Sequence, residues 1–575
     1  MKTKMTKKIF AVLMVMALTL SMAVTAFAAD NGKGSLTISG TKGKQVDIYQ
    51  MFSATWKDNA PAGTIIEPED IVAYTLNSDW EAFFNKELVD ANVYTAATLP
   101  TGTALSDAAY TYVSNFRSEL DNSIDQFAIN QFAQRASQYA LAVKDYSTGT
   151  ALTATKTVTA ESNTGDTVTF SNVDAGYYLV IPKGAVSKVD TDDNIRKNAT
   201  LVNVPAADNA TLAIKGQYPT IDKKADGEDN NTAKVGDDVT FTLESAVPDM
   251  SDYATYKFSF VDTMSNGLTF KPYATDDTTT PPTVIKPVYV TIGGKEIPLN
   301  DASATPPVTT GYTFSESIVS GKTQLTIAFN NLKEVKTVNN EAVNMDDTII
   351  VTYKATVNSN AVIGTAGNDN SAHVEYSNNP QDSNETTPST GDTSKVYTYE
   401  VELDKYTGTY GAEATRLAGA TFEIRPTADG TPIKLVSTGT NDEYRVATQE
   451  QINDASVTKY PSVTTPNNGK IKIKGLAANT VYYLVETAAP TGYNKLAEPV
   501  TVEIKVTNND YENPSYVVNS DTNNANSTGA VPVKNESGTL LPVTGGIGTI
   551  GLTVLGVGVV IFGFVFTSKK KKKAE

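Results

Sequence analysis

The stretch "TIIVTYKATV", residues 348–357, carries the clearest indication of the fold. Its apolar residues occupy every second position, from Ile349 through Tyr353 to Val357. A strand places successive side chains on opposite faces of a sheet, so this alternation predicts a strand with one buried face. The stretch "VTVEIKV", residues 500–506, repeats the pattern. Together they predict a mainly β protein whose later modules are antiparallel sandwiches.

The first part of the chain adds a helical pattern. The stretch "SIDQFAINQFAQRASQYALAV", residues 123–143, has apolar residues three and four positions apart, which predicts an amphipathic helix. Ser123 and Gln126 are spaced as in a capping box and predict where the helix begins. The predicted buried stripe comprises Phe132, Ala136, Tyr139, Ala140 and Val143. Strand-like stretches such as "GSLTISG" and "GYYLVIP" occur in the same region, so we expect helices packed on a β framework.

Both ends of the chain carry targeting signals. Residues 1–29 combine lysines, an apolar run and small residues that end at Ala28, which is typical of a secretory signal peptide. Residues 546–567 are apolar and uncharged, and they are numerous enough to cross a bilayer as a helix. Residues 568–575 contain a lysine cluster that predicts a cytoplasmic end. We therefore expect the mature chain to lie outside the cell, on a C-terminal anchor.

The composition excludes several functional classes. The chain has 575 residues, a net charge of −17 and a pI near 4.7, which argues against nucleic-acid binding. It has no cysteine and one histidine, His373, which lies in an alternating run and is predicted to be a strand residue. The run Asp190–Asn194 lacks the glycine and glutamate of a calcium loop, so we predict neither metal nor cofactor. An exported chain without disulfides must be stabilised by core burial, metals or another crosslink.

Shifts in composition divide the mature chain into three modules. Residues 30–215 mix helical and strand patterns, whereas residues 216–380 and 396–540 are dominated by strand patterns. The segment 381–395 is polar and rich in helix- and strand-breaking residues, so it is predicted to be a linker. A pentapeptide, residues 541–545, separates the last module from the apolar span.

This pentapeptide is distinctive. It consists of Leu541, Pro542, Val543, Thr544 and Gly545. Followed by an apolar span and a lysine cluster, it resembles the cell-wall sorting signal of Gram-positive surface proteins. In that family a sortase cysteine attacks the Thr–Gly bond, and an amine then takes the threonine carbonyl. The resemblance implies that the membrane anchor is transient and that the protein finally resides at the cell wall.

Further motifs resemble those of pilins. The stretch "YYLVETAAPTGY", residues 482–493, resembles the E-box of sortase-assembled pilins, with Glu486 at the acidic position. The stretch "YPTIDKKA", residues 218–225, resembles the middle domain of shaft-forming pilins. With "GSLTISGTKGKQVDIYQMF", residues 34–52, the resemblance to SpaA-like major pilins covers nearly the whole chain. It implies tandem immunoglobulin-like domains of the CnaA and CnaB types, with helices added to the N-terminal domain, and a structural protein rather than an enzyme.

The resemblance also implies a crosslink that replaces disulfides. In this family a lysine on the first strand of a domain bonds to an asparagine on the last strand, and a nearby Glu or Asp promotes the reaction. For the C-terminal module we expect Lys405, Asn535 and Glu486 in these roles. Lys405 continues the alternation of Val401 and Leu403, so its side chain is predicted to point inward.

For the middle module the expected set is Lys223, Asp262 and Asn378. Lys224 and Asn379 are adjacent alternatives, one register away and on the opposite strand face. The N-terminal module has "NVDAGYYLVIP" without the E-box glutamate, so we assign it no isopeptide bond.

Polymerisation requires a lysine between the first two modules. In "ATLAIKGQYPT", Lys215 lies where the family's pilin motif has its lysine, although the Tyr-Pro pair follows Lys215 instead of preceding it. Lys197 is the alternative. The partners implied are a class C (pilin) sortase, a housekeeping sortase, identical subunits, tip and basal pilins, and peptidoglycan. The rival hypothesis is a monomeric wall-anchored adhesin, which would need no such lysine.

Overall fold

The structure is a computed structural model that describes residues 33–41, 43–56, 71–117, 123–159, 165–186, 199–206, 208–214, 217–276, 283–382 and 384–538. The signal peptide, Asp190–Asn194, Lys197, Lys215 and everything from the sorting pentapeptide to the C-terminus lie outside the described residues. Among the helices in the described ranges, none is both long enough and apolar enough to cross a membrane.

The N-terminal module contains helices and two sheets. Its helices are α1 (Glu81–Asp90), α2 (Thr103–Ser114) and α3 (Gln126–Ala140), with 3-10 turns at Ser78–Trp80 and Lys144–Tyr146. Its strands are β1 (Lys33–Ser39), β2 (Val46–Trp56), β3 (Ile71–Leu76), β4 (Lys156–Val158), β5 (Thr167–Asp174), β6 (Gly176–Pro182), β7 (Thr200–Val204) and β8 (Asn209–Ala213). One sheet has the order β5-β1-β8, and the other has β3-β2-β6-β7 with β4 beside β2.

The β3-β2-β6-β7 sheet is buried on both faces. On β6, Leu179 packs with the helix residues Phe83 and Phe132, whereas Tyr178 packs with Phe170 of the other sheet. This explains why "GYYLVIP" is continuously apolar rather than alternating: each face of the strand meets a different layer. The predicted helices on a β framework are therefore confirmed.

Helix α3 begins later than its capping box predicted. The first helical residue is Gln126, and the N-cap is Asp125, whose carboxylate accepts the backbone N–H groups of Phe127 and Ala128. Ser123 lies before the helix and is not its cap, so that part of the prediction is wrong. An aspartate is as good an N-cap as a serine, and it satisfies two N–H groups that have no partner inside the helix.

The middle module is a sandwich of two large sheets. Its strands are β9 (Asp222–Ala225), β10 (Asn230–Thr232), β11 (Asp238–Ala246), β12 (Phe258–Met264), β13 (Leu268–Lys271), β14 (Ala274–Asp276), β15 (Thr283–Lys286), β16 (Tyr289–Ile292), β17 (Lys295–Glu296), β18 (Thr313–Val319), β19 (Lys322–Phe329), β20 (Thr348–Val357), β21 (Asn368–Ser377), β22 (Thr386–Pro388) and β23 (Asp392–Tyr397), with a 3-10 turn at Leu332–Glu334. One sheet has the order β10-β23-β21-β12-β19-β18, with β22 beside β21. The other has the order β17-β16-β20-β11-β9, with β13 beside β20, and β14 pairs only with β15.

Strand β20 confirms the prediction from its alternating residues. Its five alternate residues, Ile349, Val351, Tyr353, Ala355 and Val357, are all fully buried in the sandwich core. At roughly 25 cal/mol per Å² of apolar surface, burial of this row stabilises the strand, and the intervening Ile350, Thr352 and Thr356 are themselves strand-favouring residues.

The predicted linker at 381–395 is largely part of the middle sandwich, so this prediction is wrong. Strand β22 pairs with β21, and β23 pairs antiparallel with β21 and parallel with β10. Ser394 is fully buried and donates its hydroxyl to the carbonyl of Lys223 (2.9 Å). The polar side chains of this segment form hydrogen bonds at the edge of the core, as Ser394 does. A composition this polar is also typical of a linker, so composition alone could not identify these short strands.

The C-terminal module is a smaller sandwich. Its strands are β24 (Tyr399–Thr407), β25 (Thr415–Arg416), β26 (Thr421–Arg425), β27 (Leu435–Ser437), β28 (Glu443–Val446), β29 (Val463–Thr464), β30 (Lys470–Leu476), β31 (Thr480–Ala488), β32 (Val500–Lys505), β33 (Ser515–Val518) and β34 (Ala530–Lys534), with α4 (Gln449–Asn453) and a 3-10 turn at Thr522–Asn524. The sheets are β25-β24-β30-β28-β27, with β34 beside β24, and β29-β26-β31-β32-β33. The last strand, β34, runs parallel to the first, β24, which brings the two ends of the module together.

Candidate functional site

The ends of β24 and β34 form a buried polar site in the C-terminal module. Lys405 and Asn535 are 0% exposed and Glu486 is 2% exposed. Lys405 Nζ contacts Asn535 Oδ1 directly and lies 3.4 Å from Glu486 Oε1. Asn535 Nδ2 lies 3.3 Å from Glu486 Oε2. The structure therefore brings together the three residues that the motifs singled out.

The register of strands β24 and β34 explains why these residues are in contact. Lys405 is opposite Val533 in the parallel β24–β34 pair, so Asn535, two residues later, lies just beyond the end of the ladder on the same face. Strand β31 carries Glu486 on the facing sheet. The site thus requires both sheets of the sandwich to be assembled.

The loop after the E-box strand orients both reacting groups. The backbone N–H of Leu496 donates to Glu486 Oε2 (2.8 Å), and the carbonyl of Asn494 accepts from Asn535 Nδ2 (2.8 Å). These contacts hold the carboxyl group on the nitrogen side of the amide and the lysine on its oxygen side. Sequence reasoning did not single out this loop as part of the site, because it acts through backbone atoms.

Burial changes the acid–base character of the lysine. It lowers the pKa of Lys405 to about 8, although the nearby Glu486 carboxylate opposes this effect. Desolvation disfavours the charged ammonium, so a substantial fraction of the amine is neutral near pH 8. A neutral amine is the nucleophilic form of a lysine.

A second buried site lies in the core of the middle module. Lys223 is 1% exposed, and its Nζ contacts Asp262 directly and Tyr353 Oη at 3.1 Å. Burial lowers the pKa of Lys223 and raises the pKa of Asp262, so each group is biased towards its neutral form. The structure thus brings together Lys223 and Asp262 as predicted.

The asparagine at this site is Asn370, not Asn378. With its amide oriented to satisfy its partners, Asn370 Nδ2 donates to Asp262 Oδ1 (2.6 Å). Its Oδ1 accepts from Lys223 Nζ (3.2 Å) and from Tyr353 Oη (2.6 Å). Asn370 is 0% exposed and shares the inward face of β21 with Val374 and Tyr376.

Asn378 lies elsewhere, so that prediction is wrong. It follows the end of β21 and packs against Gly184 of the N-terminal module. It is in phase with Asn370 but eight positions further along, roughly 26 Å at the rise of a strand. The detectable signal was Asn370 itself, a polar residue at an inward position of an alternating strand.

The adjacent alternatives lie outside the buried site. Lys224 forms an exposed ion pair with Asp229, and Asn379 Nδ2 donates to Glu385 Oε2 (2.8 Å). A one-residue slip of either strand would exchange these residues with the buried ones, which is why the register could not be chosen without the structure.

The two sites share one arrangement. In each, the asparagine oxygen faces a buried lysine and the asparagine nitrogen faces a buried carboxyl group. The middle site adds Tyr353, whose hydroxyl contacts the amide oxygen and which sequence reasoning treated only as a core residue. The two sites are on different strands of different modules.

The N-terminal module contributes a buried lysine at its contact with the middle module. Lys44 Nζ donates to Tyr376 Oη (2.9 Å) and Pro388 O (3.4 Å), and it lies 4.5 Å from the centroid of the Tyr218 ring. Burial lowers the pKa of Lys44 to about 8. These contacts fasten the module to the neighbouring sandwich.

No described residues form a metal centre: within the described ranges, no three His, Cys, Asp or Glu side chains come together in a way that could hold an ion. His373 lies on β21 beside Glu375 (3.7 Å), as expected of a strand residue.

Comparison with known protein families matches two parts of the chain. Residues 400–516 match the SpaA family, described as a prealbumin-like fold domain, and residues 534–575 match the LPXTG cell wall anchor motif. The curated "Trypsin-resistant surface T6 protein" of Streptococcus pyogenes is 26% identical over 372 residues. The alignment spans 60% of this chain and 60% of that protein.

Solved structures of major pilins are also similar. The T6 backbone pilin of Streptococcus pyogenes matches with 16% identity and a TM-score of 0.39, covering 83% of this chain and 81% of that one. The Corynebacterium diphtheriae major pilin SpaA matches with 15% identity and a TM-score of 0.39, covering 87% and 99%. The C-terminal fragment of the Streptococcus agalactiae major pilin GBS80 matches with 22% identity and a TM-score of 0.38, covering 56% and 100%.

The two family matches confirm the SpaA-like domain and the LPXTG sorting signal that the sequence motifs indicated. They also confirm the mainly β fold and a location at the Gram-positive cell wall. The similar proteins are named as a surface protein and as backbone or major pilins.

Proposed function

We propose that this chain is the repeating subunit of a covalent pilus shaft, stabilised by two intramolecular Lys–Asn isopeptide bonds. One bond joins Lys405 to Asn535 and is promoted by Glu486. The observation that carries the proposal is the fully buried contact of these three side chains at the two ends of one module. A buried lysine without such chemistry would be a costly structural element.

The first chemical step is proton transfer from Lys405 to Glu486. Burial disfavours the charged ammonium and lowers the pKa of Lys405 to about 8, so this lysine releases its proton readily. The 3.4 Å separation between Nζ and Oε1 allows this transfer. The lysine is then nucleophilic, and the carboxyl group carries a proton.

The bond then forms by attack of Nζ on Cγ of Asn535. As the Nζ–Cγ bond forms, the Cγ–Nδ2 bond breaks, and the amide nitrogen leaves as ammonia. Glu486 Oε2, 3.3 Å from Nδ2, donates its proton to the leaving nitrogen, and Oε1 takes the excess proton from Nζ. One amine and one amide are consumed, and one substituted amide and one ammonia are produced. The carboxyl group acts on the leaving group and regains its proton.

The second bond joins Lys223 to Asn370 in the middle module. Asp262 takes the role of Glu486, because it contacts Lys223 and lies 2.6 Å from Asn370 Nδ2. Tyr353 Oη donates to Asn370 Oδ1 and would stabilise the negative charge that develops on this oxygen during attack.

Polymerisation links the Thr544 carbonyl of one subunit to the Lys215 amine of the next. A pilin-class sortase would catalyse growth, and a housekeeping sortase would join the finished polymer to peptidoglycan; tip and basal pilins are further partners. Lys223 follows Lys215 closely, and Asn535 closely precedes Thr544. Tension would therefore enter and leave each subunit beside a crosslink and largely bypass the sandwich hydrogen bonds. A role in adhesion is consistent with this exposed location.

Cell-wall extracts boiled in detergent test the proposal. We expect a ladder of high-mass species that contain this protein. Lys215→Arg should abolish the ladder while leaving single subunits at the wall, because Thr544 is intact. A single wall-linked band in the wild type would instead support the monomeric adhesin. Persistence of the ladder in Lys215→Arg would transfer the role to Lys197 or another lysine.

A further inference from the structure

Backbone hydrogen bonds hold residues 536–538 to the C-terminal module. After Asn535 the backbone continues to pair with the E-box loop: the N–H of Asn494 donates to Glu536 O (3.0 Å), and the N–H of Gly538 donates to Gly492 O (2.8 Å). Gly538, the last residue that the structure describes, therefore lies on the body of the module.

The sorting motif begins within a short reach of this anchor. Leu541 is three residues beyond Gly538 and Thr544 is six residues beyond it. At about 3.6 Å per fully extended residue, these positions are at most about 11 Å and about 22 Å from the anchor. A folded enzyme of about 150 residues has a radius of gyration of about 15 Å. An enzyme that encloses the motif in its cleft must therefore touch the end of the module.

An exposed aromatic side chain, Tyr410, is held in a fixed orientation at this end of the module. Tyr410 is 44% exposed, yet its hydroxyl donates to Asp404 Oδ2 (3.1 Å) and its ring lies 5.6 Å from the Arg416 guanidinium. Asp404 is 2% exposed and also accepts from Arg416 Nη2 (2.9 Å). The Tyr406 ring, 4.9 Å away, supports the other side of Tyr410. An ion pair with a buried carboxylate thus fixes the orientation of a solvent-exposed ring.

Tyr410 lies beside the departing chain. The carbonyl of Tyr406 accepts from the N–H of Asn535 (3.0 Å), so Tyr406 and the Tyr410 ring that packs on it border the strand end from which residues 536–538 emerge. Nearby, Lys534 and Glu536 form an exposed ion pair (2.6 Å). We call the surface formed by Tyr410, Lys534 and Glu536 the exit face.

We propose that the exit face is a docking surface for the membrane transpeptidase that cuts between Thr544 and Gly545. Rigid aromatic side chains with a polar end contribute strongly to protein interfaces, because little rotational freedom is lost on binding. The enzyme then recognises the folded end of the module together with the peptide. This inference rests on the proposed sorting function, and it adds a contact outside the pentapeptide.

The rate of anchor removal in the native cells tests the docking surface. Pulse–chase labelling of the full-length chain would follow loss of the C-terminal lysine cluster. We expect Tyr410→Ala to slow this step roughly tenfold, the effect of losing an interface anchor. Tyr410→Phe keeps the ring and should remain close to wild type. Tyr273→Ala removes a tyrosine of similar exposure (38%) in the middle module and should have no effect.

A spacer separates docking from peptide recognition. Insertion of about twelve Gly/Ser residues after Gly538 lets the motif reach the enzyme without the exit face. We expect the spacer to slow cleavage to the level of Tyr410→Ala, and Tyr410→Ala to have no further effect in the spacer background. An equal additional loss in that background would overturn the proposal, because it would show that Tyr410 acts through folding.

Two further outcomes would contradict it. Wild-type cleavage of Tyr410→Ala would exclude docking at this face, and normal cleavage with a weakened polymer ladder would assign the face to the next subunit instead. Thr544→Ala tests the underlying function separately. If that variant still loses its anchor, the sorting function fails whatever Tyr410 does; if it keeps its anchor, a negative result at Tyr410 refutes the docking surface alone.

Discussion

Replacing Glu486 by glutamine removes the acid from the C-terminal site with little change in shape. The glutamine oxygen can still accept the N–H of Leu496, which Glu486 Oε2 accepts at 2.8 Å. The amide cannot take a proton from Lys405 or deliver one to Asn535, so the isopeptide bond should not form. The substitution therefore isolates the crosslink from the packing around it.

The size of the effect follows from the loop that the bond closes. Lys405 and Asn535 are 130 residues apart in sequence. In the chain-entropy treatment used for disulfides, closing such a loop restricts the unfolded chain by about 5 kcal/mol. A module of about 140 residues has an unfolding entropy of about 0.3 kcal/mol/K. Loss of the bond should then lower the melting temperature of this module by about 15–20 °C.

Mass spectrometry and calorimetry of the mature chain measure the two consequences. The wild type should lack two molecules of ammonia relative to its calculated mass, and Glu486→Gln should lack one. The calorimetric transition of the C-terminal module should fall by the amount given above. Glu498→Gln, at an exposed position of the same module, is the matched control and should match the wild type in both measurements.

Two results would refute this reasoning. A wild-type chain at its full calculated mass would mean that no bond forms at either site. A Glu486→Gln chain that still lacks two ammonia molecules would mean that burial and proximity of Lys405 and Asn535 are sufficient, and that the carboxyl group has no role in the reaction.

Three further predictions concern other parts of the molecule. Asn370→Ala should restore one ammonia to the mass of the mature chain, whereas Asn378→Ala should not; the reverse result would return the bond to the end of β21. In Asn535→Ala, Lys405 is not crosslinked, and burial keeps its pKa near 8 in the folded state. Between pH 8 and 10.5 the unfolded state therefore binds more protons than the folded state. The free energy of unfolding should rise by up to about 3 kcal/mol across this range. Denaturant titrations of the C-terminal module should show this rise in Asn535→Ala and not in the wild type, whose Lys405 amine is consumed, whereas the contribution of the buried Lys44 is the same in both chains. Asp125→Ala removes the cap of α3 and should lower the stability of the N-terminal module by about 1 kcal/mol in calorimetry, with no change in mass beyond the substitution.

The C-terminal site could be predicted from local sequence because several signals agree there. Lys405 continues an apolar alternation on the first strand, and Asn535 closely precedes the sorting motif, so both positions were defined independently of register. Glu486 was identified by a short motif. Lys405, Asn535 and Glu486 come together once the two sheets of the sandwich are packed against each other.

The middle site could be predicted only in part. Strand β21 contains Asn368 and Asn370 on its inward face, and Asn378 in the same phase beyond its end. The alternation specifies a face, but it does not specify which residue on that face lies at the height of Lys223. The position along the strand depends on how the two facing sheets are aligned. This alignment is set by contacts between residues that are far apart in sequence.

The sequence by itself determined the β class, the helical layer of the first module, the two targeted ends and the inward direction of Lys405. These properties follow from periodicity and composition, which act over a few neighbouring residues. Only the tertiary structure decided that Asn370 faces Asp262, that residues 386–388 and 392–397 complete a sheet, and that Tyr410 is fixed beside the departing chain. Each of these depends on strand register and sheet alignment, because a shift of one or two residues moves a side chain to another face or another height.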